Sequence, residues 1–535
     1  MFKRWICAIL VIAMAASIWF VGRTTDDPDY APQEAAEGGE GEGDPAPALA
    51  ESLDDGSLTL WYSDDSLTEY LTSVALSFQQ DSGVKVNIVL KDGVSFLEAI
   101  NDISLKDAAE REEAMPDLYI TSHDNLLRAY LSGLASNITD PAGVVVPEMY
   151  PQTALNAVTC YDHLVAYPLY YETNFFLYNK TYMASIAQNR IEAEADLEEG
   201  EEATKDLEEN GAPKEESKEI EAGDIQEGGD AEADSEDALS DEEENPMGEE
   251  DATADQEVLE RLATMIPQTI EDIKTFANNY DAPEAVESVF KWDVSDIFYN
   301  YFFVGNYMEV GGDHGDNAAI FNIYNKQAVE CLSAYQAMNQ FFSIDTKVDN
   351  YDNILQDFID GKMVFTVATT DAIARIHQAQ KNGDFNFEYG VSTLPDISSL
   401  LKARGLSVTD AVAINGYSGK KDEANRLATY IANYKAGDLY MKSGKVSCCK
   451  SVEYEDAEIA NVMNEYEKSV PLPKMVEAAN YWVQLEIAFT KVWKGADPDQ
   501  TLAELSDTIG AQIEKIKANL PTQESFNAGA GTFVQ

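Results

Sequence analysis

Hydrophobic and polar positions along this chain follow two rhythms. Residues 58–63 (LTLWYS) and 84–90 (VKVNIVL) carry the unbroken or alternating apolar pattern of strands, while 66–83 (SLTEYLTSVALSFQQDSG) places apolar residues at helical spacing and stops at Gly83. Strand, helix, strand in that order predicts a parallel βαβ unit with a right-handed crossover. A charged helical stretch at 95–113 precedes another buried strand at 116–122 (PDLYITS), and a long apolar strand follows at 167–180 (YPLYYETNFFLYNK). The strands at 58–63, 116–122 and 167–180 open onto polar residues, which is how an α/β sheet offers side chains to a ligand. Further on, 292–306 (WDVSDIFYNYFFVGN) predicts an aromatic helix or helix pair. Residues 353–376 read helix, Gly361, strand, loop, helix, and 388–396 read as a strand closed by a Pro turn. Strand, turn and amphipathic helix follow at 409–435, and the tail contains the stretch 471–495 and a final helix to about 518.

Charge divides this pattern. The net charge is −61, of which residues 191–260 contribute −28, with 31 Asp and Glu against 3 Lys and no aromatic residue. Such a segment buries too little apolar area to offset the entropy of ordering it, so a disordered surface insert is expected. The acidic balance also argues against a nucleic-acid partner, since phosphate binding needs clustered Lys and Arg. At 535 residues the chain exceeds one core, so at least two domains are expected.

Residues 1–23 carry Lys3 and Arg4, an apolar run of 18 residues from Trp5 to Gly22, and then Arg23. This is an export signal, read as a signal peptide or an N-terminal membrane anchor, with a flexible acidic spacer at 24–56. It places the protein at the extracellular face of the cytoplasmic membrane. Of the five cysteines, Cys7 lies in the leader, and Cys160, Cys331, Cys448 and Cys449 have no zinc-site spacing. Adjacent Cys448 and Cys449 cannot join each other without strain; a pairing of one of them with Cys160 or Cys331 stands beside the reading of incidental thiols.

A catalytic function finds no support in these residues. The four histidines, His123, His163, His314 and His377, lie in no HExxH or Cys/His pattern, and GxSxG and P-loop motifs are absent, so no enzyme, cofactor or metal is expected. A carbohydrate site needs other groups: aromatic faces for the C–H faces of sugar rings and planar carboxylates or amides for paired hydroxyls.

The order and spacing of LTLWYSDD, PDLYITSHDNLLRAYLSGL and YPLYYETNFFLYNK resemble the extracellular solute-binding proteins of ABC importers, especially the sugar-binding, maltodextrin-binding protein-like branch. The resemblance implies an α/β, two-lobed periplasmic-binding-protein fold with a ligand cleft between lobes. Lobe one would take 57–167 and 397–446, lobe two 168–396 and 447–520, with the insert 191–260 in a loop of lobe two and a tail at 521–535. It aligns Pro267, Thr269, Glu271 and Asp272 with a helix start, as an N1-like proline, a cap and first-turn acids. Carried over by position, the ligand-binding residues are Tyr62, Ser63 and Asp65 after the first strand, Asp124 of the His123-Asp124 pair, Glu172 past Tyr167-Pro168, Asp296 and Phe298, and Trp482.

Each has a plainer role beside the functional one. Tyr62, Phe298 and Trp482 read equally as core aromatics, Asp65 as an N-cap for a helix from Ser66, and His123 as a structural hydrogen-bonding residue. The family pattern is also broken: Thr121 and Asp371 stand where aromatic stackers belong and Asn125 where an Arg belongs. That disfavours a long α-glucan and an acidic oligosaccharide, leaving a short oligosaccharide or monosaccharide. The implied function is the monomeric substrate-binding component of an ABC importer, delivering its sugar to permease subunits in the membrane. A surface sensor of the same fold with a signalling partner, or a binder of a non-sugar solute, is the alternative. Replacing 191–260 by a short Gly/Ser loop is expected to leave the melting temperature unchanged, because closure entropy varies slowly with loop length; loss of cooperative unfolding would show the insert to be structural.

Overall fold

The computed structural model describes residues 55–209 and 248–518. The leader, nearly all of the spacer, the centre of the acidic insert and the tail 521–535 lie outside the described residues. The chain forms two compact units, one ending at Asn179 and resuming at Pro267, the other running from Lys180 to Ile266.

The first unit begins with the expected βαβ motif. Every residue of β1 (Leu58–Tyr62) is buried. Helix α1 (Thr68–Ser82) buries Tyr70, Leu71, Val74 and Phe78, and Gly83 ends it at φ 76°, a left-handed conformation that glycine adopts without a Cβ clash. Strand β2 (Val86–Leu90) pairs parallel with β1. Helix α2 (Phe96–Leu105) sends Phe96, Leu97 and Ile100 into a cluster with Trp61 and Tyr119, and β3 (Leu118–Ser122) pairs parallel with β1. The helix expected over 95–113 is therefore shorter, followed by a 3-10 turn at Ala108–Glu110.

Strand β4 (Ala166–Asn179) joins the two halves of a nine-stranded sheet. Helix α3 (Ile270–Asn279) and strand β5 (Ser288–Lys291) come next, then α4 (Tyr351–Ile359), β6 (Met363–Thr369), α5 (Asp371–Asn382) and β7 (Tyr389–Ser392). Strand β8 (Leu406–Ile414), α6 (Ala436–Ser443), α7 (Glu458–Lys468), β9 (Val470–Pro471) and α8 (Tyr481–Trp493) complete the parts used below. The main path is β2-β1-β3-β8-β4-β6-β5, with β7 added to β4 and β9 to β8. Over Ala166–Thr173 β4 runs antiparallel to β8; from Asn174 it runs antiparallel to β6, and β7 takes its other edge from Phe176. At the switch Thr173 and Asn174 are fully buried. The Thr173 hydroxyl donates to the Leu406 carbonyl at 3.1 Å, and the Asn174 side-chain oxygen accepts from the Leu406 N–H at 3.4 Å.

The expected cap at Thr269 is present: its hydroxyl accepts from the Asp272 N–H while the Asp272 carboxylate accepts from the Thr269 N–H, a reciprocal capping box. Pro267 is not at N1, since the helix begins at Ile270. The aromatic stretch 292–306 is not helical; it makes two 3-10 turns, Ile297–Tyr299 and Tyr301–Phe303. Asn300 is the physical reason. Its side chain accepts from the Trp292 indole at 2.9 Å and donates to the carbonyls of Asp293 and Asp296, satisfying backbone groups that a helix would bond internally. Strand β8 starts three residues before the expected 409.

The second unit carries helices at Lys180–Glu209 and Gly248–Met265, so helix runs into the acidic insert from both ends. Within it Arg261 forks onto the Glu194 carboxylate. Among the described residues no helix is long and apolar enough to cross a membrane. Cys160, Cys331, Cys448 and Cys449 are buried free thiols.

Lys474 shows how the C-terminal segment is held. Only 3% exposed, its ammonium donates to the carbonyls of Asn156 at 2.8 Å, Ala157 at 2.9 Å and Thr159 at 2.6 Å, at the C-terminal end of the short helix Gln152–Ala157. Burial pushes its pKa down to about 8, which leaves it charged at neutral pH. Lys474→Met keeps the stem and strands three carbonyls, so it is expected to cost on the order of 3 kcal/mol, read as a lower denaturant midpoint at unchanged slope. An unchanged midpoint would mean that water replaces the ammonium.

Candidate functional site

The polar ends of β1, β3, β4 and β8 bring together groups that lie far apart in the chain. Asp64, in the turn after β1, caps the next turn by accepting from the Ser66 N–H at 3.1 Å, the role expected of Asp65. Its other carboxylate oxygen lies 3.1 Å from the Lys445 ammonium. Glu172, on β4, lies 3.4 Å from the same ammonium, which also sits 5.0 Å from the centre of the Tyr170 ring. Asp410, on β8, is the register partner of Tyr170. Burial raises the Asp410 pKa to about 7, and the charges of Glu172, Asp64 and Asp124 add to that while Lys445 opposes it. For Lys445, burial works to lower the pKa, but Glu172, Asp64 and Asp410 outweigh it and hold the ammonium above its ordinary value.

Around this centre the predicted residues fall into different roles. Asp124 is partly exposed just past β3, its Oδ1 accepting from the Ser122 hydroxyl at 2.5 Å. Glu172 is partly exposed as well, whereas Ser63 and Asp65 are exposed in the turn after β1. Tyr62 is 2% exposed and its hydroxyl is bonded to Thr68 at 2.9 Å, the environment of a core aromatic. His123 is fully buried. Its Nδ1 accepts from the Thr409 N–H at 3.0 Å, so its Nε2 carries the proton donated to the Leu472 carbonyl at 2.9 Å, and burial takes its pKa down to about 4. It is a structural tie between β8 and the C-terminal segment.

In the other half of the sheet, Asp296, Phe298 and Trp482 gather about the first turn of 297–303. Asp296 accepts from the Phe298 N–H at 2.8 Å, and the partly exposed Phe298 ring stands edge-on to Tyr299. Trp482, on α8, is partly exposed and edge-packed on Tyr301 and Tyr481 at 5.3 and 5.0 Å. One turn on, Glu486 accepts from the Ile297 N–H at 3.4 Å; burial raises its pKa to about 7, with Asp296 and Asp293 adding. Asp371, at a lost stacking position, is tied by the Tyr351 hydroxyl at 2.7 Å. Sequence reasoning missed Asp64, Asp410, Lys445 and Glu486. Asp65 alone was read as the cap, and the other three lay in stretches read only for secondary structure.

Comparison with known proteins gives this geometry a context. The family described as bacterial extracellular solute-binding protein matches residues 74–462. A curated relative, the maltodextrin-binding protein MdxE of Bacillus subtilis (strain 168), is 22% identical over 272 residues, which cover 48% of this chain and 63% of the relative, less than two thirds of its length. Among solved structures, a solute-binding protein of Staphylococcus aureus in complex with maltose superposes with a TM-score of 0.60 at 18% identity, covering 86% of this chain and 98% of that one. The maltose-binding protein MalE of Listeria monocytogenes, also with maltose, gives 0.59 at 18%, again covering 86% and 98%. A cyclo/maltodextrin-binding protein complexed with maltotetraose gives 0.59 at 16%, covering 85% and 97%. These likenesses give the chain the two-lobed periplasmic-binding-protein fold.

The raised pKa of Asp410 makes stability depend on pH. Its folded-state value, about 7, lies above the ordinary 3.8, so its contribution is complete below about pH 4 and is lost as pH rises through 7. Asp410→Asn is expected to flatten the fall in melting temperature between pH 5 and 8. An equal slope in wild type and variant would assign the titration to other groups.

Proposed function

The chain belongs to the bacterial extracellular solute-binding proteins, and we propose that it captures a short, neutral sugar between its lobes for an ABC importer. The observation that carries this reading is the pairing of unlike surfaces. Partly exposed acceptors, Asp124 and Glu172, stand on one half of the sheet, and partly exposed aromatic rings, Phe298 and Trp482, on the other. Carboxylates that accept from hydroxyls and rings that cover C–H faces are the two needs of a sugar contact. Relatives solved with maltose and maltotetraose support the same ligand class.

The tied Asp371 and the missing aromatic at Thr121 favour a ligand of one to a few rings. Closure about β4 would bring Asp124 toward Trp482 and present both lobes to a permease. In this reading the leader at 1–23 carries the protein through the membrane and holds it, as a monomer, at the outer face, where the spacer 24–56 gives it reach.

A thermal-shift screen of residues 57–535 against neutral mono- and oligosaccharides tests the class, since a sugar at about 100 times its dissociation constant stabilises by about 2.7 kcal/mol. With the sugar so found, Asp124→Asn is expected to weaken binding by about ten- to a hundredfold, measured by calorimetry. The amide oxygen can still accept from Ser122, keeping the local fold, but a donor replaces the second acceptor. Unchanged affinity would take Asp124 out of the site, and a screen with no sugar response would overturn the sugar reading.

A further inference from the structure

The cleft side of β1, β4 and β8 carries Asp64, Glu172 and Asp410 within the field of one ammonium, and that ammonium comes from the protein itself. Lys445 is 16% exposed, 3.1 Å from Asp64 and 3.4 Å from Glu172, with Tyr170 beneath it at 5.0 Å. It leaves the chain just after α6, whose C-terminus is closed by Gly444 at φ 70°, so the negative end of that helix also faces the lysine segment. An aromatic face with two carboxylates is how proteins recognise a free amine, and here the amine is tethered. We propose that Lys445 sets the charge class of the solute. It occupies the place a cationic ligand would take, so the carboxylates meet a neutral polyhydroxyl solute only as hydroxyl acceptors.

Two consequences separate this role from a merely structural ion pair. Without the tether, the site becomes an amine site, because Asp64, Glu172 and the Tyr170 face remain while their counter-ion is gone. A small free alkylammonium of the lost length should then restore what the lysine supplied. The inference rests on the reading of the cleft as a neutral-sugar site, but its central claim, exclusion of cations by Lys445, is measured without any sugar.

The experiment compares wild type, Lys445→Ala and Lys445→Arg. Putrescine is expected to raise the melting temperature of Lys445→Ala by several degrees and to leave wild type and Lys445→Arg unmoved. The sugar found in the screen should bind Lys445→Ala at least tenfold more weakly, with propylammonium recovering most of that loss. If Lys445→Ala does not fold alone, the double variant Lys445→Ala/Glu172→Gln, which removes one of the two charges that faced Lys445, is measured in its place. It should still respond to putrescine more than wild type, through Asp64 and Tyr170. A folded variant that responds to putrescine no more than wild type, or a wild type that responds equally, overturns the proposal. A wild type that binds no sugar, beside a Lys445→Ala variant that gains putrescine binding, would overturn the sugar reading and keep Lys445 as the group that excludes cations.

Discussion

Every strand-borne group of the site depends on one constraint: a single buried strand must satisfy hydrogen bonds in both halves of one sheet. Strand β4 pairs with β8 up to Thr173 and with β6 from Asn174, and a buried backbone cannot leave donors or acceptors empty at such a change. The Thr173 hydroxyl and Asn174 amide oxygen meet it by taking up both polar groups of Leu406, the first residue of β8. With the strand pinned there, its direction and twist are set on both sides. Glu172 is then held one residue before the switch, on the stretch of chain about which the lobes would turn.

A second level of organisation is electrostatic. The chain is strongly acidic, yet at the ends of β1, β4 and β8 the acids are not simply left to repel one another. Lys445 draws Asp64 and Glu172 together, and Asp410 holds its proton to near neutral pH instead of adding a full charge. In the other half Glu486 does the same beside Asp296. Partial protonation and one internal cation let carboxylates crowd at densities that a set of free charges would not tolerate.

Much of the fold could be read from local pattern because local physics decided it. The apolar run of β4, the glycine stop at Gly83 and the box at Thr269 and Asp272 each depend on residues within a few positions of one another. Reading failed where a side chain overrode the local preference. Asn300 turned a helix-like aromatic stretch into 3-10 turns, and the cap fell on Asp64, one residue before the expected Asp65. Asp124 and Glu172, which the resemblance supplied, are partly exposed, and His123 has the buried, structural use read beside its functional one. Lys445 and Asp410 were not legible, since each gains its meaning only from chain segments that meet through tertiary folding.

The tryptophans carry a further consequence, in light. Trp61 and Trp292 are at most 1% exposed and Trp493 is 5% exposed, so their emission is set by the protein interior. Trp482 is the one tryptophan among the described residues that is not buried, and it stands with Phe298 on the aromatic side of the proposed cleft. A solute that covers its indole would change the polarity around a single emitter. Among the four described tryptophans, Trp482 is therefore the one placed to report ligand addition as a shift in emission colour.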